Sequence, residues 1–199
     1  MHKRVMTLAV AALLAAPVFA QQSNTTPAPG TAGERRENLQ DRIANGVQSG
    51  QLTAGETKKL ETREAAVNSE IKSDKAANGG KLTPQERQQV DKQQNNLSKA
   101  IAQDKHNANT AHFSNTEVGQ RRENQQDRIA NGIKSGSMTA GEAAHAENRE
   151  QGINKQIAAD RAANGGKLTA QEKRQINREQ NGASRQIYRE KHNAAKQLR

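Results

Sequence analysis

Large apolar residues recur along this chain at helical spacing, and most of what lies between them is polar. Leu60, Val67 and Ile71 step by seven and then four, as do Val90, Leu97 and Ile101. Each set lays one narrow apolar stripe along a helix. Ile153 and Ile157, then Ile176 and Ile187, continue the pattern, with Ala146 and Ala183 where the earlier stretch has Leu60 and Leu97. This second stripe is thinner and is expected to pack more closely or less stably. Strand-like alternation is absent, so the expected fold class is all-α.

Start signals frame the stripes. Leucine or methionine followed by T-x-x-E occurs at Leu52, Leu82, Met138 and Leu168. In each copy the threonine can cap the free N–H groups of a new helix while the glutamate reaches back to the cap residue, a capping box. Stop signals alternate with them, because D-[R/K]-x-A-N-G ends in Asn-Gly, and glycine adopts the left-handed conformation of a helix C-cap cheaply. The signals predict helices over residues 34–45, 54–78 and 84–107, then 120–131, 140–164 and 170–195. Pro84 falls on a first helical position, where a missing N–H is harmless.

The two sets of three are copies. Residues 34–109 align with 120–195 without a gap at an offset of 86, with 42 of 76 positions identical. We read this as a tandem duplication of a three-helix unit, a helical hairpin plus a shorter helix. Residues 34–109 form the first repeat, 110–119 a linker and 120–199 the second repeat. Ahead of them, residues 21–33 are mostly Gln, Ser, Thr, Pro and Gly with little to bury, which reads as a disordered tether.

Residues 1–20 read as a cleaved export signal. Lys3 and Arg4 precede an apolar run over 5–16, and Ala20 is a small residue at the cleavage position. The run is too short for a comfortable membrane span and no second one follows, so no transmembrane segment is expected. The expected location is the periplasm or the secreted fraction. The chain has no cysteine, which excludes disulfides, thiolate metal sites and cysteine nucleophiles. Large apolar residues are few for the length. Marginal stability, fraying or dimerisation through the stripes is expected, so a homo-oligomer is a candidate assembly.

The chain carries a net charge of +10, to which the signal contributes 2. The excess is uneven: residues 34–107 hold 13 basic against 11 acidic groups, and residues 120–199 hold 16 against 9. The last predicted helix carries Arg174, Arg178, Arg185 and Arg189, candidate contacts to an anionic partner. Envelope glycolipids, phospholipid surfaces and acidic proteins fit that charge. Nucleic acid is disfavoured, because export separates the protein from it and aromatic residues for stacking amount to 2%. The alternative reading of the arginines is a solvated face with acidic neighbours such as Glu179 and Glu190.

Metal and catalytic chemistry find little to work with. Residues 74–86 resemble an EF-hand loop, with Gly80 at the turn and Glu86 at the closing position. Lys75, Ala77 and Gly79 then fall where side-chain oxygens are needed. His106 and His192 occupy equivalent K-H-N positions, while His112 and His145 have no counterpart, and no pair has the spacing of a helical zinc site. No metal, cofactor or catalytic residue is expected, and no enzyme.

Two resemblances remain. R-I-A-N-G-V-Q-S-G-Q-L-T-A-G-E at residues 42–56, with R-Q-I-Y-R-E-K-H-N at 185–193, resembles a set of uncharacterised exported bacterial helical-repeat proteins across nearly all of the mature chain. L-T-P-Q-E-R-Q-Q at residues 82–89 is similar, over a few residues, to the helix starts of periplasmic chaperones of the Spy and CpxP kind. The expectation is an exported, non-enzymatic helical binding or structural protein of the cell envelope. The alternatives are an ATP-independent periplasmic chaperone and a calcium-binding module with degenerate EF-hand-like loops.

Overall fold

A computed structural model describes residues 30–197; the expected export signal and most of the expected tether lie outside the described residues. Within them the chain forms six α-helices and no strand: α1 Ala32–Gln48, α2 Ala54–Ala77, α3 Pro84–Lys105, α4 Glu117–Ser135, α5 Ala140–Ala163 and α6 Ala170–His192. The fold class is all-α, as the stripes imply.

All four T-x-x-E signals form capping boxes, at Thr53, Thr83, Thr139 and Thr169. A fifth box at Thr31 and Glu34 opens α1, so helix extends into the last residues assigned to the tether. The glutamates do more than cap. Glu56 accepts through Oε2 from the Thr53 N–H (2.9 Å), and through Oε1 from the side-chain amides of Asn107 (2.8 Å) and Asn109 (3.1 Å). Glu86 is held in the same way between Thr83 and Asn78, and Glu172 between Thr169 and Asn164. Asparagines of the stop signals and of K-H-N therefore clip one helix end to the start of another. Replacing Thr53 by alanine is expected to cost about 1 kcal/mol of stability. In a thermal-melt double-mutant cycle its effect should be less than additive with Asn107→Ala, because both hold one carboxylate.

Two of the four stop signals behave differently from expectation. Asn-Gly ends α2 and α5, where Gly79, Gly80, Gly165 and Gly166 have positive φ, but at Gly46 and Gly132 the helix continues. Both of these glycines are buried. A Cβ on Gly46 would lie 2.6 Å from Leu52 Cδ1, and one on Gly132 would lie 2.5 Å from Met138 Sδ. Here glycine makes room for the apolar residue of the next start signal, and α1 and α4 run on to Gln48 and Ser135. The chain then turns at Gly50 and Gly136, both with positive φ.

Each stripe is covered by the rest of the chain. α3 packs on α1 and α2, and α6 packs on α4 and α5, but the broadest contacts run between repeats, α2 against α5 and α1 against α4. α2 and α5 are antiparallel: a Cβ on Gly55 would meet the Gln151 amide, and Lys58 Nζ donates to Asn148 Oδ1 at 2.6 Å. One core is therefore shared, combining Leu39, Ile43 and Leu60 of the first repeat with Ile129, Ile133 and Met138 of the second. Two smaller cores flank it, one around Val67, Ile71 and Val90 and one around Ile153, Ile157 and Ile176. No described helix is long and apolar enough to cross a membrane.

Candidate anion-binding face

Why α6 presents its arginines outward follows from its register. Ile176, Gln180, Ala183 and Ile187 are buried, and the arginines fall on the opposite side of the helix. At 3.6 residues per turn, Arg174, Arg178, Arg185 and Arg189 fall within about 60° of arc. All four are exposed. Among the described residues the single ion pair is Arg35 with Asp91, at 3.0 Å, so none of the four is neutralised by a bonded carboxylate. The acids of α6 are turned aside. Glu172 is in its capping box, Glu179 accepts from Gln175, and Glu190 accepts from Gln186.

Helix α3, the counterpart in the first repeat, carries Gln88, Lys92, Lys99 and Gln103 at the equivalent exposed positions. The arginine strip thus belongs to the second repeat. Arginine offers a planar fork that matches carboxylate and phosphate, which glutamine and lysine do not. Tyr188 stands beside the strip, 58% exposed, with its ring stacked on His192 at 4.2 Å. In the first repeat that position is Ala102. The two K-H-N histidines do structural work: Nδ1 of His106 donates to the Ala102 carbonyl, and Nδ1 of His192 to the Tyr188 carbonyl, each at 2.7 Å.

The loops that resemble EF-hands have already committed their carboxylates. Both oxygens of Glu86 accept hydrogen bonds, and so do both of Glu56. Among the described residues no group of three or more His, Cys, Asp or Glu side chains is placed to hold a metal ion.

The least expected feature lies inside. Glu61 and Glu64 of α2 and Glu147 and Glu150 of α5 are buried near the α2/α5 contact. Glu61 accepts from Gln40 at 3.2 Å and Glu147 from Gln126 at 3.0 Å, and Oε1 of each carboxylate has no hydrogen-bond partner. Burial pushes Glu61 up to about 8 and Glu64 and Glu150 up to about 7, the last two against the pull of Arg36 and Arg122 respectively. Glu147 is raised well above the usual range by burial, with Glu150 and Glu61 adding to it. Sequence reasoning missed all four. The available signal was position, since Glu64 occupies the gap in the stripe of Leu60, Val67 and Ile71, and Glu150 the same gap before Ile153.

Set against protein-family models, curated proteins and solved structures, the chain matches none. The reading of function rests on the residues themselves.

Proposed function

We propose that this chain is an exported, non-enzymatic helical protein that binds an anionic surface of the bacterial cell envelope through Arg174, Arg178, Arg185 and Arg189. The observation that carries this reading is the strip itself: four arginines on one outward face of α6, unpaired with carboxylates, where α3 has two lysines and two glutamines. The apolar stripes favour this reading over a chaperone, which would need them open to clients. Among the described residues Tyr188 is the single exposed large apolar side chain.

Co-sedimentation with vesicles containing anionic lipid is the test. Each arginine near an anionic lipid surface contributes about 1 kcal/mol at low salt. Replacing all four by glutamine is therefore expected to weaken binding on the order of 10²- to 10³-fold. Raising ionic strength should weaken the parent in the same way, because the charges are exposed and screened. Binding that survives both changes would remove the proposal.

A further inference from the structure

Where the linker crosses the start of α2, the protein has a cavity of about 340 Å³, in the size range of small-molecule sites. Thr53, Ala54 and Gly55 form one wall, the linker residues Thr110 to Phe113 a second, and Arg122, Glu150 and Asn154 of α4 and α5 a third.

The equivalent corner, 86 residues on, indicates what chemistry belongs there. The chain after α6 crosses the start of α5, and the Gln197 N–H donates to the Gly136 carbonyl at 3.1 Å. Its side-chain Oε1 then accepts from the Ala140 N–H, the first of α5, at 3.0 Å. In the first repeat the Ala111 N–H makes the same backbone contact with Gly50, at 2.8 Å. Ala111 has no side-chain oxygen to offer the first N–H of α2, that of Ala54, and the cavity opens at this point. Helix N-termini favour negative charge.

The opposite wall needs donors as well as acceptors. Glu150 is 1% exposed and its Oε1 has no hydrogen-bond partner; Asn154 Oδ1 and Arg122 Nε, also buried, have none either. Leaving such groups unpaired is costly. Phe113 covers the Arg122 guanidinium at 5.3 Å from the ring centre, and Ala111 and Ala158 complete an apolar side.

We propose that this cavity binds a small zwitterion of free amino-acid size. Its carboxylate takes the place of the Gln197 amide oxygen, at the Ala54 N–H and beside Arg122. On binding, Glu150 and Asn154 turn their enclosed, unpartnered oxygens toward its ammonium, which donates to them. No residue of α6 takes part, so the site stands apart from the arginine face.

Calorimetric titration of the whole mature protein with free α-amino acids, at millimolar concentration, tests this. At least one is expected to bind, and its N-acetyl and carboxamide derivatives to bind at least about ten-fold more weakly. Ala111→Gln, which supplies the oxygen seen in the second repeat, should abolish binding with the melting temperature at or above that of the parent. Asn154→Leu should also weaken binding, and the variant lacking the four α6 arginines should bind as the parent does. No heat from any free amino acid, blocked derivatives binding as well as free ones, or full binding by both Ala111→Gln and Asn154→Leu would each overturn the proposal.

Discussion

At pH 8, Glu61→Gln and Glu147→Gln are expected to melt above the parent, and the double variant higher still. The side chain volume is unchanged, and a glutamine oxygen can accept the existing bonds from Gln40 and Gln126. What changes is the cost of ionising a buried acid. In the unfolded chain these groups titrate near 4.5, whereas burial pushes Glu61 to about 8 and Glu64 and Glu150 to about 7 in the folded protein. The folded state therefore holds protons that the unfolded state has released. Their contribution to stability is fully present below about pH 4.5 and is lost as pH rises through 7 and 8. One pKa unit corresponds to about 1.4 kcal/mol, so the gain for Glu61→Gln at pH 8 is of the order of 4 kcal/mol. The capping glutamates act in the opposite sense. Burial raises Glu56, but the Thr53 N–H, Asn107 and Asn109 together hold it below the usual range, and its contribution is lost as pH falls below about 4.5. Stability should peak at mildly acidic pH and decline on both sides. Melts of parent and double variant from pH 4 to pH 9 check this, with the alkaline decline flattened in the variant. A parent that grows steadily more stable from pH 5 to pH 8 would show that these carboxylates are ionised and solvated in the folded protein.

The same four residues mark where sequence reasoning stopped. Stripes, capping boxes and the Asn-Gly stops at Gly79 and Gly165 are local signals, carried within a turn or two of backbone, and helices formed where they pointed. Burial on a second side is not local. Helix α2 touches α1 and α3 of its own repeat and also α5, so charged residues flanking its stripe, such as Glu61 beside Leu60, are enclosed as well. The arrangement of the repeats is equally remote from any single helix. A three-helix unit with one narrow stripe per helix looks marginal alone, and two such units sharing Ile43, Leu60, Ile129 and Ile133 bury what neither could bury separately. The arginine face was legible as charge at helical spacing. Its freedom from bonded carboxylates depends on where Glu179 and Glu190 turn, which spacing does not set.

Gly46→Ala should destabilise the protein by about 1–3 kcal/mol, although alanine is the better helix former. In an exposed helix the exchange gains about 0.5–1 kcal/mol. At Gly46 the new methyl meets Leu52 Cδ1 at 2.6 Å and Cγ at 2.7 Å, and Leu52 is fully buried with no open side to move into. Gly132→Ala faces Met138 Sδ at 2.5 Å and Cγ at 2.7 Å. Methionine is unbranched and repacks more readily, so this second loss is expected to be the smaller of the two. Gly152 supplies the contrast, because it lies within α5, is exposed, and a Cβ there meets nothing within 4 Å. Gly152→Ala should therefore raise stability by about the propensity difference. Denaturant unfolding of the three variants separates the two uses of glycine. If Gly46→Ala proved as stabilising as Gly152→Ala, Leu52 would not be seated against α1, and the close approach that carries α1 through its Asn-Gly would have to be given up.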